Sequence, residues 1–346
     1  MQLCRHAAEA RGGSARGRPS RDIVVSTCGR NGIFLHRPTD EAWGSDDGIF
    51  PTQVQRHNGV ACRYIDPPLL IGGLKFDMRL YVLVTSIHPL VVYLYGDGIT
   101  RFATEPYDLS ATTSGIGLER QCMHLTNVSI TKNSEAYTKN VSAEEDGSGS
   151  KWSLPGLRRR LNRLLGEGRA TAFWRDVDDL LVKTLIAAEP ALSEAAEGAL
   201  PAAARGEPVR SCFQIFGIDV MPDSSGKPWL LEVNCDPQMT TPDPLSLRIK
   251  SSMLVDTLNV VGMPLPHDTA QLGDMDRWAQ TATSDRLHAS STRAEVAEAW
   301  ALHSVNSEFE RSKSGQWRRL LPSSRSIEYL PLMNQTRSLN WLPFEV

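Results

Sequence analysis

Residues 75–87, KFDMRLYVLVTSI, constrain the fold more than any other stretch of the chain. Polar and apolar residues alternate at its start, and its end is rich in β-branched side chains, so the spacing predicts a strand. Shorter strands are expected at 23–25 and 33–36, around a Cys-Gly-Arg-Asn-Gly loop, and at 69–71. Residues 91–95 and 99–103 flank Gly96-Asp97-Gly98, which reads as a hairpin turn. Two further strands, 212–221 and 228–234, are joined by Pro-Asp-Ser-Ser-Gly. Helical spacing marks 157–165, 173–188, 245–261 and 294–311, with an Ala-rich stretch of uncertain end from Pro190 to Pro208. Strands and helices together predict an α+β chain.

Composition narrows the function classes. The chain has 346 residues, 41% hydrophobic and 22% charged, which are ordinary globular values. A net charge of −3 argues against a dedicated nucleic-acid binder. The six cysteines are scattered without a C-x-x-C pair, so neither a zinc knuckle nor a disulfide framework is expected, and a reducing compartment fits. No apolar run reaches the roughly 20 residues that a membrane span needs. Residues 1–21 have almost nothing to bury and read as a disordered leader.

The sharpest chemical signal is FGIDVMPDSSGKPWLLEVN, residues 216–234. Alternation places Glu232 and Asn234 on one face of a strand, and a turn centred on Ser225-Gly226 sets Asp219 opposite Glu232. Two carboxylates that close repel unless a cation lies between them, and oxygen-only donors suit Mg²⁺. The competing reading is a solvated polar face. A second signal is the row Lys75, Asp77, Arg79, in which cation, acid and cation share one strand face; Arg101 adds a third cation. Such a row resembles one wall of a phosphate site, although an exposed sheet face with ion pairs has the same pattern. Cys122 to Asn127 offers hydroxyl and amide groups in a turn. Lys151, Arg158, Arg159, Arg160, Arg163, Arg169 and Arg175 form a basic run with little acid beside it, which points to an acidic polymer as partner.

Taken in order, KFDMRLYVLVTSIHPLVVYLYGDGITRFATEPYD, MHLTNVSITKN and CFQIFGIDVMPDSSGKPWLLEVN resemble the core of the tubulin–tyrosine ligase-like enzymes. So do KWSL, LLVKTLIAAEP and PLSLRIKSSMLVDTLNVVG; KWSL, VKTLIAAEP and SGQWRRLLPSS are most similar to the polyglutamylating branch. The match runs over roughly residues 29–262. The resemblance implies an ATP-grasp-type antiparallel sheet flanked by helices, with the N-terminal lobe largely missing. It implies a catalytic domain over 22–265 and a helical and irregular extension over 266–346.

The resemblance also implies a ligase that uses ATP and Mg²⁺ to join free glutamate to glutamate side chains of tubulin tails through an acyl phosphate. On matching positions, Asp219, Glu232 and Asn234 would bind Mg²⁺; Lys75, Asp77 and Gln55 would contact the nucleotide; Arg79 and Arg101 would grip the transferring phosphoryl group; and Thr126 and Asn127 would lie near the amino acid. Expected partners are tubulin and microtubules, with no nucleic acid or membrane. A monomer in the cytoplasm, on the cytoskeleton or at the cilium, flagellum and basal body is expected. Glycine, or an acidic acceptor other than tubulin, stays open as the substrate, as does microtubule binding without turnover. Three departures accompany the match: no lysine in 23–28, the insertion of 57–63 between Gln55-Arg56 and Tyr64-Ile65, and Asp236-Pro237 after Asn234 in place of the family's Ser-Pro.

Overall fold

The computed structural model describes residues 24–27, 33–36, 60–87, 89–109, 120–143, 149–204, 212–262 and 312–333. Gln55 and the expected helix at 294–311 lie outside them. The chain divides into two compact units: residues 1–77, 101–138 and 221–227 in one, and 78–100, 139–220 and 228–346 in the other.

The first unit holds a small antiparallel sheet of β1 (Val24–Thr27), β2 (Ile33–His36) and β3 (Val60–Arg63), ordered β2-β1-β3. The expected hairpin of the first two strands forms, and β3 comes from the inserted residues 57–63. Next, β4 (Leu70–Ile71) pairs with the start of β5 (Leu74–Ile87) through Leu70 opposite Lys75. Two short helices, α1 (Gln121–His124) and α2 (Val128–Thr131), complete the unit.

The second unit is built on β5. In chain order it is joined by β6 (Leu90–Phe102), β7 (Lys151–Ser153), β8 (Gln214–Pro222), β9 (Pro228–Asn234) and β10 (Trp317–Leu321), in the order β10-β6-β5-β8-β9 with β7 on β6. The pairs β5–β8 and β6–β10 are antiparallel. From Phe76 to Val84 the apolar positions of β5 are almost fully buried on both faces, as befits a central strand. On one face Tyr81, Leu83, Tyr93 and Ile215 pack against Leu245, Ile249, Met253 and Val260 of α6 (Pro244–Val261). The helices α3 (Leu154–Leu165) and α4 (Glu167–Ala199), the latter followed by the short α5 (Pro201–Ala204), supply a further buried apolar set, including Leu157, Leu161, Phe173, Val177 and Leu181. Among the described residues no helix is long and apolar enough to cross a membrane.

Gly96-Asp97-Gly98 is not a hairpin turn. β5 ends at Ile87 and β6 runs unbroken from Leu90 to Phe102, so the three residues lie inside a strand. The glycines serve close approach instead. A Cβ on Gly98 would sit 2.6 Å from the Arg79 carbonyl oxygen and 2.8 Å from Leu154 Cδ1. Asp97, buried, accepts from Gly98 N at 2.7 Å and from Leu154 N at 3.1 Å, so it satisfies an amide at the start of α3. A turn signal was therefore a packing signal.

Two helices are longer than their periodicity indicates. α3 starts three residues early because Ser153 caps it, accepting from Gly156 N at 3.1 Å. α4 continues through Pro190 to Ala199.

Candidate functional site

Antiparallel pairing of β5 with β8 sets Arg79 directly across from Asp219. The guanidinium holds both carboxylate oxygens: Nε donates to Oδ1, and Nη2 donates to Oδ2 at 3.0 Å. Gly217, two residues earlier on β8, makes room for this arginine; a Cβ there would lie 3.1 Å from Arg79 Cδ and 2.8 Å from Pro237 Cβ. From β9, Asn234 Nδ2 donates to Glu232 Oε1 at 3.1 Å and to the Gly217 carbonyl at 3.2 Å. The shared face expected for Glu232 and Asn234 is thus present. Packing of protein around the Glu232 carboxyl raises it above the ordinary carboxylate range; Asp219 adds to the rise by charge and by side-chain hydrogen bonding, while Asn234 and Arg79 oppose it.

These donors fit a hard divalent cation. Two carboxylates and an amide are brought together, and one carboxylate is held in a state that a nearby positive charge would relieve. No group of three His, Cys, Asp or Glu residues suited to a metal occurs among the described residues; beside the two carboxylates stands the amide of Asn234, bonded to Glu232.

The first unit contains a second constellation. Lys75 and Asp77 are buried, at 4% and 1% exposure, so the solvated-face alternative does not describe them. Arg101 holds Asp77 with Nε to Oδ1 at 2.8 Å and a second bond from Nη2 to Oδ2. Lys75 Nζ donates to Tyr64 Oη at 2.9 Å and lies 4.0 Å from that ring's centroid. Tyr64 Oη is 2.8 Å from His124 Nδ1, and Tyr107 donates to Asp66 at 2.7 Å. Burial pushes the Lys75 ammonium down to about 7, against the pull of Asp77 and Asp66. The folded state then binds fewer protons than the unfolded chain between pH 7 and the usual 10.5. Lys75 should therefore contribute stability that grows as pH rises through that window. Chemical unfolding at several pH values, compared between the wild type and Lys75→Met, should show this rise only with the lysine present.

Thr126 is buried and Asn127 half-buried, in the extended link between α1 and α2. Asn127 stands at the N-cap of α2, where its carbonyl receives Ile130 N and Thr131 N, yet its side chain makes no capping bond.

A third constellation, in the second unit, escaped the sequence reading. Lys151 belongs to β7, not to a basic surface: it is buried and donates to Asp243 Oδ2 at 2.7 Å. Asp243 also caps α6, accepting from Ser246 N at 2.8 Å. Burial alone raises its carboxyl, but Lys151 and Ser246 outweigh it and hold Asp243 below its ordinary value. Lys250, on α6, donates to the Thr240 carbonyl at 2.5 Å. Burial first, then the charges of Lys151 and Arg79, lower it to about 8. Lys151 and Lys250 thus share Asp243 as a counter-charge, and Arg79 is close enough to act on Lys250. Asp243-Pro244 carried a helix-start signal that could have located this acid. Nothing in the spacing of the sequence marks Tyr64 or His124 for a role.

The profile of the tubulin-tyrosine ligase family matches residues 24–271. The chain is 45% identical over 214 residues to human tubulin polyglutamylase TTLL5, covering 61% of this chain and 16% of the relative. It is 33% identical over 319 residues to mouse tubulin polyglutamylase TTLL13, covering 91% and 37%, and 33% identical over 313 residues to human tubulin monoglutamylase TTLL4, covering 81% and 25%. It therefore spans well under half the length of these relatives. The expected mixed fold, an open antiparallel sheet flanked by helices, is the one observed. With the profile matched over more than half its residues, the chain belongs to the tubulin-tyrosine ligase family.

Proposed function

We propose that the chain is the catalytic core of an ATP-dependent ligase that joins glutamate to glutamate side chains of tubulin tails. The observation that carries this reading is the set Asp219, Glu232 and Asn234 on β8 and β9, with Arg79 across from Asp219 on β5. A carboxylate is a poor electrophile. In the proposed reaction its oxygen attacks the γ-phosphorus of ATP and ADP leaves. The amine of the second amino acid then attacks the acyl carbon, phosphate leaves, and an amide forms with loss of a proton.

Mg²⁺ held by Asp219, Glu232 and Asn234 would neutralise charge on the phosphates. Lys75, Asp77 and Gln55 are assigned to the nucleotide, and Thr126 and Asn127 to the amino acid. Arg79 and Arg101 are assigned to the transferring phosphoryl group; the bidentate pairs with Asp219 and Asp77 fix the plane of each guanidinium and use two of its five donors. The names of the relatives, polyglutamylases and a monoglutamylase of tubulin, support glutamate as donor and tubulin as acceptor. Association with the cytoskeleton follows from that acceptor.

The test is incubation of the purified chain with Mg-ATP, tubulin and equal amounts of differently labelled glutamate and glycine. Glutamate is expected on the tubulin tails. Glycine in its place would overturn the donor assignment, and microtubule binding without incorporation would overturn the enzyme assignment.

A further inference from the structure

The arginine run on α3 is divided by the fold. Arg158 turns inward, its guanidinium 3.8 Å above the Trp174 ring. Arg159 and Arg163 are exposed and Arg160 half-exposed; Arg169, exposed, follows Gly166 in the first turn of α4. Among the described residues Arg160, Arg163 and Arg169 have no salt bridge, and Glu167 is the acid of the intervening turn. Farther along α4 the pattern is different. Asp178 holds Arg318 at 2.8 Å and Asp179 holds Lys183 at 2.7 Å, so cations there are matched. Leu164, 46% exposed, lies within the unmatched group.

Helix stability explains only part of this placement. A cation in the last turn of α3 complements the helix dipole, which accounts for Arg163. Arg160 is a turn earlier, and Arg169 stands at the positive end of α4, where a cation is unfavourable. Several cations are thus concentrated on one hairpin of a chain with a net charge of −3. Such a field attracts a flexible polyanion, and guanidinium groups pair bidentately with carboxylates.

We infer that three arginines of the α3–α4 hairpin, half-exposed Arg160 with exposed Arg163 and Arg169, dock an acidic, glutamate-rich peptide segment. The inference rests on the proposed acidic acceptor and adds a contact for it outside β5, β8 and β9. A long acidic chain would engage both places, and linkage of two weak contacts raises the apparent affinity for long acceptors over short ones.

The probe is a fluorescent oligoglutamate peptide, with binding to the full chain read by anisotropy without ATP, at low and physiological ionic strength. The triple variant R160E/R163E/R169E is expected to bind about tenfold more weakly and to lose most of the salt dependence, because each exposed contact contributes modestly. Arg→Lys at the same three positions should retain most of the binding, and unchanged thermal unfolding of both variants shows that the fold is intact. A glutamine peptide of equal length should not bind. Unchanged oligoglutamate affinity in the triple variant overturns the inference. So does binding of an oligonucleotide or of anionic vesicles that equals the peptide's and is lost in the same variant. If the triple glutamate variant fails to fold, Arg→Gln decides by the same readout. Because this assay involves no bond formation, its failure is distinct from a failure of the ligase reading, which shows as absence of glutamate incorporation by the wild type.

Discussion

Glu232→Gln is expected to lower glutamate ligation about a hundredfold or more while leaving the metal-free protein at least as stable as the wild type. The loss follows from removing one of two carboxylates proposed to hold Mg²⁺ against the charge that develops on the phosphates. The stability expectation follows from the same acid's surroundings. Protein packing and Asp219 raise the Glu232 carboxyl above 4.5, so its ionised form is disfavoured in the fold. A group with a raised folded value contributes stability below its unfolded value and loses that contribution as pH rises through the folded one. Above the folded value the wild type carries a disfavoured charge, whereas glutamine carries none. Thermal unfolding without metal, run beside the ligation assay, separates the two effects. Lost activity together with a large drop in stability would mean that Glu232 is structural instead.

Asp243→Ala should be the most destabilising single change outside the apolar core, at about 3–5 kcal/mol. Its partner Lys151 is 6% exposed and Asp243 2%, so the substitution leaves a buried ammonium unpaired. It also removes the N-cap of α6, which adds about 1 kcal/mol. Lys250, already lowered by burial and by Lys151, loses its nearby counter-charge as well. The double change Asp243→Ala with Lys151→Met should recover much of the loss, since it removes the orphaned cation along with its partner. Urea unfolding of both single variants and the double variant measures this; a double-variant loss equal to the sum of the two single losses would show that the pair is not coupled.

Legibility of the sequence followed the reach of each signal. Period-two alternation located β5 and β9 nearly to the residue, and Asp243-Pro244 through Gly262 bounded α6. These are local patterns. Gly96-Asp97-Gly98 was misread because glycine permits a turn and a close approach alike, and only the neighbours Arg79 and Leu154 decide between them. Lys151 was misplaced for a similar reason: a lysine near four arginines looks like surface charge, and its partner is 92 residues away. In the candidate site, the facing of Glu232 and Asn234 followed from strand geometry. The bidentate grip of Arg79 on Asp219 did not, because it depends on a register between strands 140 residues apart.

The central claim concerns coupling between ATP and an amide bond. The measurement is a single reaction of the wild-type chain with Mg-ATP, labelled glutamate and tubulin, in which ADP, phosphate and tail-bound label are counted together. One ADP and one phosphate should form for each glutamate added to a tail side chain. ADP formed without label on tubulin, or label that arrives without ADP, would contradict the account.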